Sequence, residues 1–341
     1  MNTTILPSDQ PEDVNQRARS KRRRFLWLIL SLLIASVLLY LSLSGLDWGA
    51  FWRTVSQGNY EIIWIVIPIV SFNYFQRAVH WRLLIRSEKK IPVLAVFWAN
   101  MVGYMGNAYL PARAGELLRS AFLGEKSGLG TSFILATALV ERFLDVIALV
   151  LVGAVALSFQ GNASMMLVEA ISLMAVLGFV GLLVILILPS QESRMLHLLD
   201  RFPLPKAASE FLSRQIRRFL LGAQSLRNSR RLAGFVMMTG LIWLIDAFGV
   251  TLGVRIISQT LRLDQAFILL AALGLSSAIP STPGYVGVYQ FVALLVLVPF
   301  GFSQPQALAY ILISQILGYI VISFWGLIGL FQINRMKNIL P

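Results

Sequence analysis

The sequence predicts an all-α integral membrane protein, and three observations lead to that prediction. Of the 341 residues, 57% are hydrophobic and only 13% are charged, whereas soluble domains carry about a quarter charged residues. The apolar residues occur in runs of about twenty, the length at which a helix crosses a hydrocarbon core. The runs do not show the short alternating segments of membrane β-barrels. Because a backbone in lipid must satisfy its own hydrogen bonds, the runs are predicted to be helices.

A polytopic bundle of about eight hydrophobic segments is predicted, in one transmembrane domain at residues 25–335. The segments are Phe25–Ser44, Ile62–Trp81, Val93–Leu110, Thr131–Phe159, Met165–Leu188, Leu232–Ile257, Phe267–Phe300 and Ala307–Ile333. Residues 1–24 are polar and basic, and we expect them to form a disordered cytoplasmic segment. Residues 336–341 are expected to be a cytoplasmic tail.

The net charge of +13 indicates an orientation rather than a nucleic-acid partner. Lysines and arginines cluster before the first segment, at 82–90, at 194–231 and at the end of the chain. The loops at 45–60, 160–164 and 301–306 contain a single basic residue, Arg53. By the positive-inside rule, both termini are predicted to be cytoplasmic in the plasma (inner) membrane.

The residues that most catalytic and metal centres need are scarce in this chain. It contains no cysteine and two histidines, which excludes disulfides, thiol catalysis and the usual zinc or iron–sulfur sites. It also lacks a Walker loop, an HExxH motif and a GxSxG motif. We therefore expect no cofactor, no metal and no catalytic residue.

The number of segments between loops assigned to the two sides of the membrane indicates that two segments do not cross it completely. Residues 82–90 are predicted inside and 160–164 outside, yet two apolar segments lie between them, so one of these must turn back. Val93–Leu110 is the candidate, and the same reasoning applies to Phe267–Phe300, whose flanks are both predicted outside. The residues predicted to break these helices are Pro111, Gly115, Pro280, Pro283, Gly284 and Gly287.

The two breaks share the spacing P-x-x-x-G and are predicted to enter the membrane from opposite sides. This pattern is typical of inverted-topology repeats, whose broken helices meet near the bilayer midplane and form a transporter's substrate site. The alternative is that Pro and Gly only kink two packed helices, since both are common in membrane spans.

Charged residues occur in and beside the predicted spans. Each would cost about 2.5–3.5 kcal/mol in the middle of the lipid, so they must face the protein interior or water. One interpretation is a polar cavity in which arginines bind an anionic group and carboxylates orient the arginines. The other is a structural ion-pair cluster that fixes the broken helix. The candidate substrate-binding residues of this group are Asn107, Arg113, Glu116, Arg119, Glu141, Arg142, Asp145 and Asp246.

Within this group, Glu116 and Arg119 share a helix face at i, i+3, and Arg142 can reach Asp145 in the same way. Asp246 has no cation within four residues and needs a partner from another helix. The second break is nearly without charge, and its hydroxyls and amide would line the site without a charge penalty. Its candidate substrate-binding residues are Ser281, Thr282, Tyr285, Tyr289 and Gln290.

Two other groups of basic residues have simpler explanations. Arg77, His80 and Arg82 lie at the inner end of a predicted span, where we expect them to snorkel to the surface. In the loop 189–231, apolar residues recur at helical spacing among basic ones. This pattern predicts an amphipathic helix at 206–221 on the anionic inner leaflet, either as an anchor or as part of a lipid entrance.

Three motifs, in order along the chain, resemble the lysylphosphatidylglycerol synthase transmembrane, or flippase-like, family. They are N-x-x-L-P-x-R-x-G-E-x-x-R from Asn107, E-R-x-x-D from Glu141 and I-P-x-x-P-G-x-x-G from Ile279. The resemblance covers nearly all of residues 25–335. It implies an eight-segment unit that, in the bifunctional enzymes, moves an aminoacylated phospholipid between leaflets. Because the sequence ends at Pro341 without an aminoacyl-transferase domain, lysyl transfer is not expected.

The predicted function is a flippase-like transporter that moves an anionic or phosphate-bearing lipid between leaflets. Its expected partners are membrane lipids, either anionic phospholipid or polyprenyl-phosphate-linked lipid, and a second copy of the chain or a glycosyltransferase. One alternative is a membrane-embedded enzyme of a polyprenyl-phosphate or glycolipid pathway, with Glu116 or Glu141 as base. Another is an accessory subunit of such a pathway. Without an ATP motif, movement must be downhill, ion-coupled or driven by a partner.

Overall fold

The computed structural model describes residues 29–85, 91–110, 113–160, 206–277 and 282–336, together with 176 and 180. Every regular element in these ranges is a helix, which confirms the all-α membrane fold. Four helices are long and apolar enough to cross a membrane, or five if a bent N-terminal pair counts as one span. The prediction of about eight segments is not confirmed. The predicted segment 1–24, most of Met165–Leu188 and nearly all of the tail 336–341 lie outside the described residues.

The helices follow the predicted segments closely. They are α1 Ile29–Leu43, α2 Trp48–Ser56, α3 Ile63–Ile85, α4 Val93–Tyr109, α5 Ala114–Ser127, α6 Thr131–Ser158, α7 Lys206–Ala223, α8 Ser229–Val254, α9 Leu263–Ser276, α10 Val288–Leu297 and α11 Gln304–Arg335. With their flanking turns, α3, α8, α10 and α11 are the four candidate spans. Helices α4 and α9 have only 17 and 14 residues, which is short for a crossing. Helix α6 is long enough but carries three charged residues near its centre.

Helices α4 and α5 form an antiparallel hairpin around glycines. Gly103 packs against Arg119 near one end of the contact, and Gly106 packs against Gly115 near the other. A Cβ atom on Gly115 would lie 1.9 Å from the Gly103 carbonyl oxygen, so only glycine permits this approach. Pro111 lies outside the described residues, and the chain resumes at Arg113 in the left-handed region with φ 53°. The chain therefore turns back toward the end from which α4 began.

Helices α9 and α10 form the second broken pair and pack against each other. A single turn at Pro283–Tyr285 precedes α10, with Gly284 and Gly287 at φ 73° and 86°. A Cβ atom on Gly287 would lie 2.2 Å from the Ala35 carbonyl oxygen of α1, so this break also depends on a close backbone approach. Pro280 lies outside the described residues.

Helix α11 packs along α4, where two glycines allow the backbones to approach. A Cβ on Gly326 would meet the Met105 side chain at 2.7 Å, and one on Gly329 would meet the Trp98 carbonyl oxygen at 3.0 Å. Small residues of this kind are typical of helix contacts in membranes. Helix α11 also contacts α10, so it touches both broken pairs.

Residues predicted as the outer loop 45–60 form a helix instead. Asp47 caps α2 by accepting a hydrogen bond from Ala50 N at 2.9 Å, and the axis of α2 is bent 87° from that of α1. Phe51 is buried, while Trp48 and Trp52 are 51% and 62% exposed. Exposed tryptophans on an amphipathic helix are typical of the membrane–water interface.

The predicted amphipathic helix is present as α7, two residues longer than expected. Its C-terminal end packs on the protein, because Leu220 is buried and Gly222 lies against the backbone of Ala136 in α6. Leu212, six residues after the start of α7, is 40% exposed. Contact with the inner leaflet therefore remains a prediction for the exposed part of α7.

Candidate functional site

Arg119 of α5 is completely buried and has its donors occupied on three sides. Its Nε donates to Glu116 Oε2 at 2.6 Å, and its two terminal nitrogens donate to Asn100 Oδ1 at 2.8 Å and Glu141 Oε2 at 2.9 Å. The Trp81 ring lies against the guanidinium, 4.3 Å from ring centroid to Cζ. Although Arg119 was predicted to bind substrate, in this arrangement it joins two carboxylates from different helices.

Arg142 of α6 shares one of these carboxylates but is less fully engaged. Its Nε donates to Glu116 Oε1 at 2.9 Å, and Asn107 Nδ2 donates to the same oxygen at 3.3 Å. Its NH1 atom is 3.8 Å from Asp145, and its Cζ is 5.7 Å from the Tyr104 ring centroid. The side chain is 30% exposed, and its terminal nitrogens make no hydrogen bond to another described residue.

Asp246 of α8 has the partner from another helix that the sequence required. Arg77 NH2 of α3 donates to its Oδ2 at 2.6 Å, and Asn73 Nδ2, one turn earlier, donates to its Oδ1. Arg77 NH1 also lies 3.9 Å from Asp145. Asn73 and Arg77 thus hold α8 against α3 through one carboxylate.

The expectation that Arg77 and His80 snorkel to the surface is wrong. Helix α3 continues to Ile85, so both residues lie well inside the helix rather than at its end. His80 is 1% exposed, and its Nε2 lies 2.9 Å from Thr239 Oγ1. Arg82 is tied to the backbone, because its Nε donates to the Ile91 carbonyl oxygen at 2.6 Å.

Asp145 connects these two groups into one ion-pair network drawn from four helices. Its carboxylate lies between Arg77 and Arg142, at 3.9 and 3.8 Å. The members of the ion-pair network are Arg77, Glu116, Arg119, Glu141, Arg142, Asp145 and Asp246. Six of these seven were predicted from the sequence as site residues.

Arg113 connects the two breaks directly. It is the residue before α5, and its NH2 donates to the Ser277 carbonyl oxygen at 2.5 Å and to the Ser277 hydroxyl at 2.9 Å. Ser277 ends α9 at the second break. The Arg113 guanidinium also lies 6.0 Å from the Tyr285 ring centroid, and Tyr285 stacks on Tyr289 at 4.8 Å.

The polar residues of the second break have different surroundings. Gln290 is buried; its Oε1 accepts from Gly287 N at 2.6 Å, and its Nε2 donates to Gln315 Oε1 at 2.5 Å. It therefore fixes the start of α10 and does not line an open surface. Thr282 Oγ1 donates to the Val286 carbonyl oxygen at 3.1 Å. Ser281 lies outside the described residues.

Several residues that complete the site were not predicted as site residues from the sequence. They are Asn73, Arg77, Asn100, Tyr104 and Ser277. A signal was present for the first two, because Asn73 and Arg77 are polar, lie at i, i+4 on one face, and occur in an apolar span. The sequence contains no signal for Ser277, since its role depends on which helix end faces Arg113.

A cavity of about 150 Å³ lies beside the network, between α3, α8, α9 and α11. Its walls are mostly apolar, and Asn73, Asp246, Tyr310 and Ser314 are its polar lining residues. Its apolar lining, rather than its volume, suits methylene groups better than a charged headgroup.

Within the described ranges, no group of three or more His, Cys, Asp or Glu side chains could hold a metal ion.

Two comparisons with known proteins bear on the identity of the chain. A comparison with curated proteins finds no match. The family described as the lysylphosphatidylglycerol synthase TM region matches residues 28–326, nearly the whole chain and all seven members of the ion-pair network. This multi-pass membrane protein therefore belongs to the family of lysylphosphatidylglycerol synthase transmembrane regions.

Proposed function

We propose that the protein is a flippase-like transporter that moves an anionic or phosphate-bearing lipid between leaflets. The observation that carries the proposal is the pair Arg113 and Arg142, two arginines beside the first break that each keep a terminal nitrogen without a hydrogen bond to another described residue. Both arginines approach the start of α5, because Arg113 is the residue before this helix and Arg142 bonds to Glu116 in its first turn. Membership in a family built around a phospholipid product supports the class of substrate.

The two broken pairs would act as inverted-topology repeats. The α4–α5 hairpin and the α9–α10 pair each flank a Pro/Gly stretch of the sequence, and Arg113 bridges the two pairs through Ser277. In transporters built this way, the substrate site lies at the interface of the repeats. One hairpin would enter from the cytoplasm and the other from outside, with both termini cytoplasmic in the plasma membrane. That orientation rests on the distribution of basic residues.

Arginine suits the headgroup because its planar guanidinium donates two parallel hydrogen bonds to phosphate. Glu116 orients Arg142 through Nε and leaves the terminal nitrogens for the ligand. Within the described residues, Tyr104 Oη and Asn107 Oδ1 are buried without a protein partner. Buried polar atoms of this kind normally bond to water or a ligand. The lipid tails would stay in the bilayer while the headgroup passes between the breaks.

The test replaces Arg113, Arg142 or both by Gln and measures leaflet exchange of an anionic phospholipid in proteoliposomes. We expect each single Gln variant to lose most of the exchange. A Lys variant at the same position should keep only part of the wild-type exchange, because an ammonium group cannot donate two parallel hydrogen bonds to phosphate. Arg255→Gln is the matched control, since Arg255 is exposed at the end of α8 and outside the network.

Thermal unfolding in detergent separates loss of function from loss of fold. The variants should unfold within a few degrees of the wild type, because Arg113 is exposed and Arg142 keeps one face open. Normal exchange by a stable Arg113→Gln, Arg142→Gln protein would refute the phosphate site.

We also infer that neither Glu116 nor Glu141 serves as the base of an embedded enzyme. Glu116 already accepts hydrogen bonds from Arg119, Arg142 and Asn107, and Glu141 is 2% exposed and bonded to Arg119. A base must reach the proton that it removes, and neither carboxylate has a free approach. Mass spectrometry of lipid recovered from the exchange assay should find it chemically unchanged. A modified lipid would favour the enzyme.

A further inference from the structure

The ion-pair network carries more carboxylates than cations. It contains three arginines and four carboxylates, which gives a net charge of −1 when all seven are ionised. Ion pairs in a low-dielectric interior are tolerated when charges balance and hydrogen bonds satisfy them, whereas an excess charge is costly. One carboxylate is therefore held less well than the others.

That carboxylate is Asp145. Glu116, Glu141 and Asp246 each accept an arginine hydrogen bond at 2.9 Å or less. Asp145 instead lies 3.9 Å from Arg77 and 3.8 Å from Arg142, beyond the distance of a hydrogen bond. Among the described residues, the two guanidiniums within 4 Å of Asp145 both bond to other carboxylates.

Charged groups from several helices face Asp145. They are Arg77 of α3, Arg119 of α5, Asp246 of α8 and Arg142 of its own helix. On the neighbouring α4, Tyr104 lies beside Arg142. Helix α9 offers only Asp264, at its far end and bonded to Arg262 and Gln160. On α7, the Glu210–Arg214 pair is exposed.

His80 is the other group near the network that could take a proton. The Thr239 hydroxyl donates to the Phe235 carbonyl oxygen, so its Oγ1 accepts from His80 Nε2–H. The Phe235 ring stacks on the imidazole at 3.8 Å, and Nδ1 lies 4.0 Å from Glu141. The N–H group of a neutral His80 imidazole thus has a hydrogen-bond acceptor, and the Phe235 ring covers one face of the ring. The Asp145 carboxylate, by contrast, has no arginine within hydrogen-bond distance.

We propose that Asp145 binds a proton when an anionic headgroup binds Arg142, so that lipid and proton move together. The inference rests on the proposed function and supplies its energy coupling. A phosphate on the free face of Arg142 would neutralise one of the two cations that stabilise Asp145. It would also raise the negative charge of the network from −1 to −2. Protonation of the Asp145 carboxylate restores −1, and no bond other than O–H forms.

The first experiment measures proton uptake when the purified full chain binds a short-chain phosphatidylglycerol. Calorimetry in two buffers of different protonation enthalpy gives the number of protons per lipid. For the wild type we expect about one proton per bound lipid at neutral pH, and for Asp145→Asn about none. Asp264→Asn is the matched control and should keep the uptake, because Asp264 lies outside the network. His80→Asn should also keep it.

The outcomes separate the inference from the proposed function. A wild type that does not bind the lipid overturns both. Binding without proton uptake overturns the inference alone, as does uptake that persists in Asp145→Asn or disappears in His80→Asn. Because Asn resembles the protonated acid and Asp145 makes no hydrogen bond to another described residue that Asn would lose, the variant should fold.

Infrared spectroscopy decides the matter if that variant proves unstable. The wild type, labelled with ¹³C in its aspartate carboxyls, should gain the C=O band of a protonated aspartic acid when lipid binds. No such band would overturn the inference. In proteoliposomes, an inward proton gradient should speed lipid exchange by the wild type, while a folded Asp145→Asn protein should exchange at a rate independent of the gradient.

Discussion

At the scale of single residues, the buried arginines divide into two kinds. Arg119 bonds to three side chains and has no exposed surface, whereas Arg142 makes one hydrogen bond to a carboxylate and remains partly open. Both are arginines three residues from a carboxylate in an apolar sequence, so their sequence context could not distinguish them. The difference arises in three dimensions, because Asn100 and Glu141 approach Arg119 from two other helices.

This division predicts a larger loss of stability for Arg119→Gln than for Arg142→Gln. Removing Arg119 leaves Glu116 and Glu141 buried with one fewer cation, and breaking such a pair costs about 3–5 kcal/mol. Thermal unfolding in detergent should show a much lower midpoint for Arg119→Gln and a small change for Arg142→Gln. Equal midpoints would mean that the network does not stabilise the fold through Arg119.

At the scale of elements, the hydrophobic runs predicted the helices well. The starts of α4 and α6 agree with the sequence to the residue, and α3 and α8 differ by a few residues at their ends. Helix α2 was not predicted, because residues 45–60 were assigned to an outer loop only from their scarcity of basic residues. The spacing of Trp48, Phe51, Trp52 and Val55 at i, i+3, i+4 and i+7 carried the amphipathic signal. How the elements pair was less predictable, since glycine contacts between helices depend on which faces meet.

The α4–α5 hairpin gives a prediction at this scale. Gly115→Ala should prevent the native hairpin, because its Cβ would lie 1.9 Å from a backbone oxygen that cannot rotate away. Gly240→Ala on α8 is the control, since nothing lies within 4 Å of its Cβ and alanine favours a helix by about 1 kcal/mol. Yield and monodispersity after purification would test both. A monodisperse, stable Gly115→Ala protein would contradict the observed packing.

At the scale of the whole molecule, the sequence predicted the membrane location and which charged residues would be grouped. Six of the seven network members were identified, because charge in an apolar run is conspicuous. The sequence could not predict the partner of each charge or the meeting of the breaks at Arg113 and Ser277, which depend on how five or more helices are arranged.

The proposed orientation can be tested in this chain without background, because it has no native cysteine. Single cysteines at Gln57 and Ser229, both exposed, should react with a membrane-impermeant maleimide from opposite sides. Gln57 should label in intact cells and Ser229 only in inverted vesicles. Labelling of both from one side would show that the basic loops do not set the orientation.

The perpendicular helix α2 has a consequence for bilayers of different thickness. A helix at 87° to α1 lies along the membrane surface when α1 is upright, and its two exposed tryptophans fix its level at the headgroups. In the proposed orientation α2 lies on the outer side, so the outer surface rather than the midplane would set how deeply the molecule sits. A thicker membrane would then shift the inner leaflet away from the breaks and leave the outer leaflet in register, so hydrophobic mismatch would fall on one half of the proposed transport path.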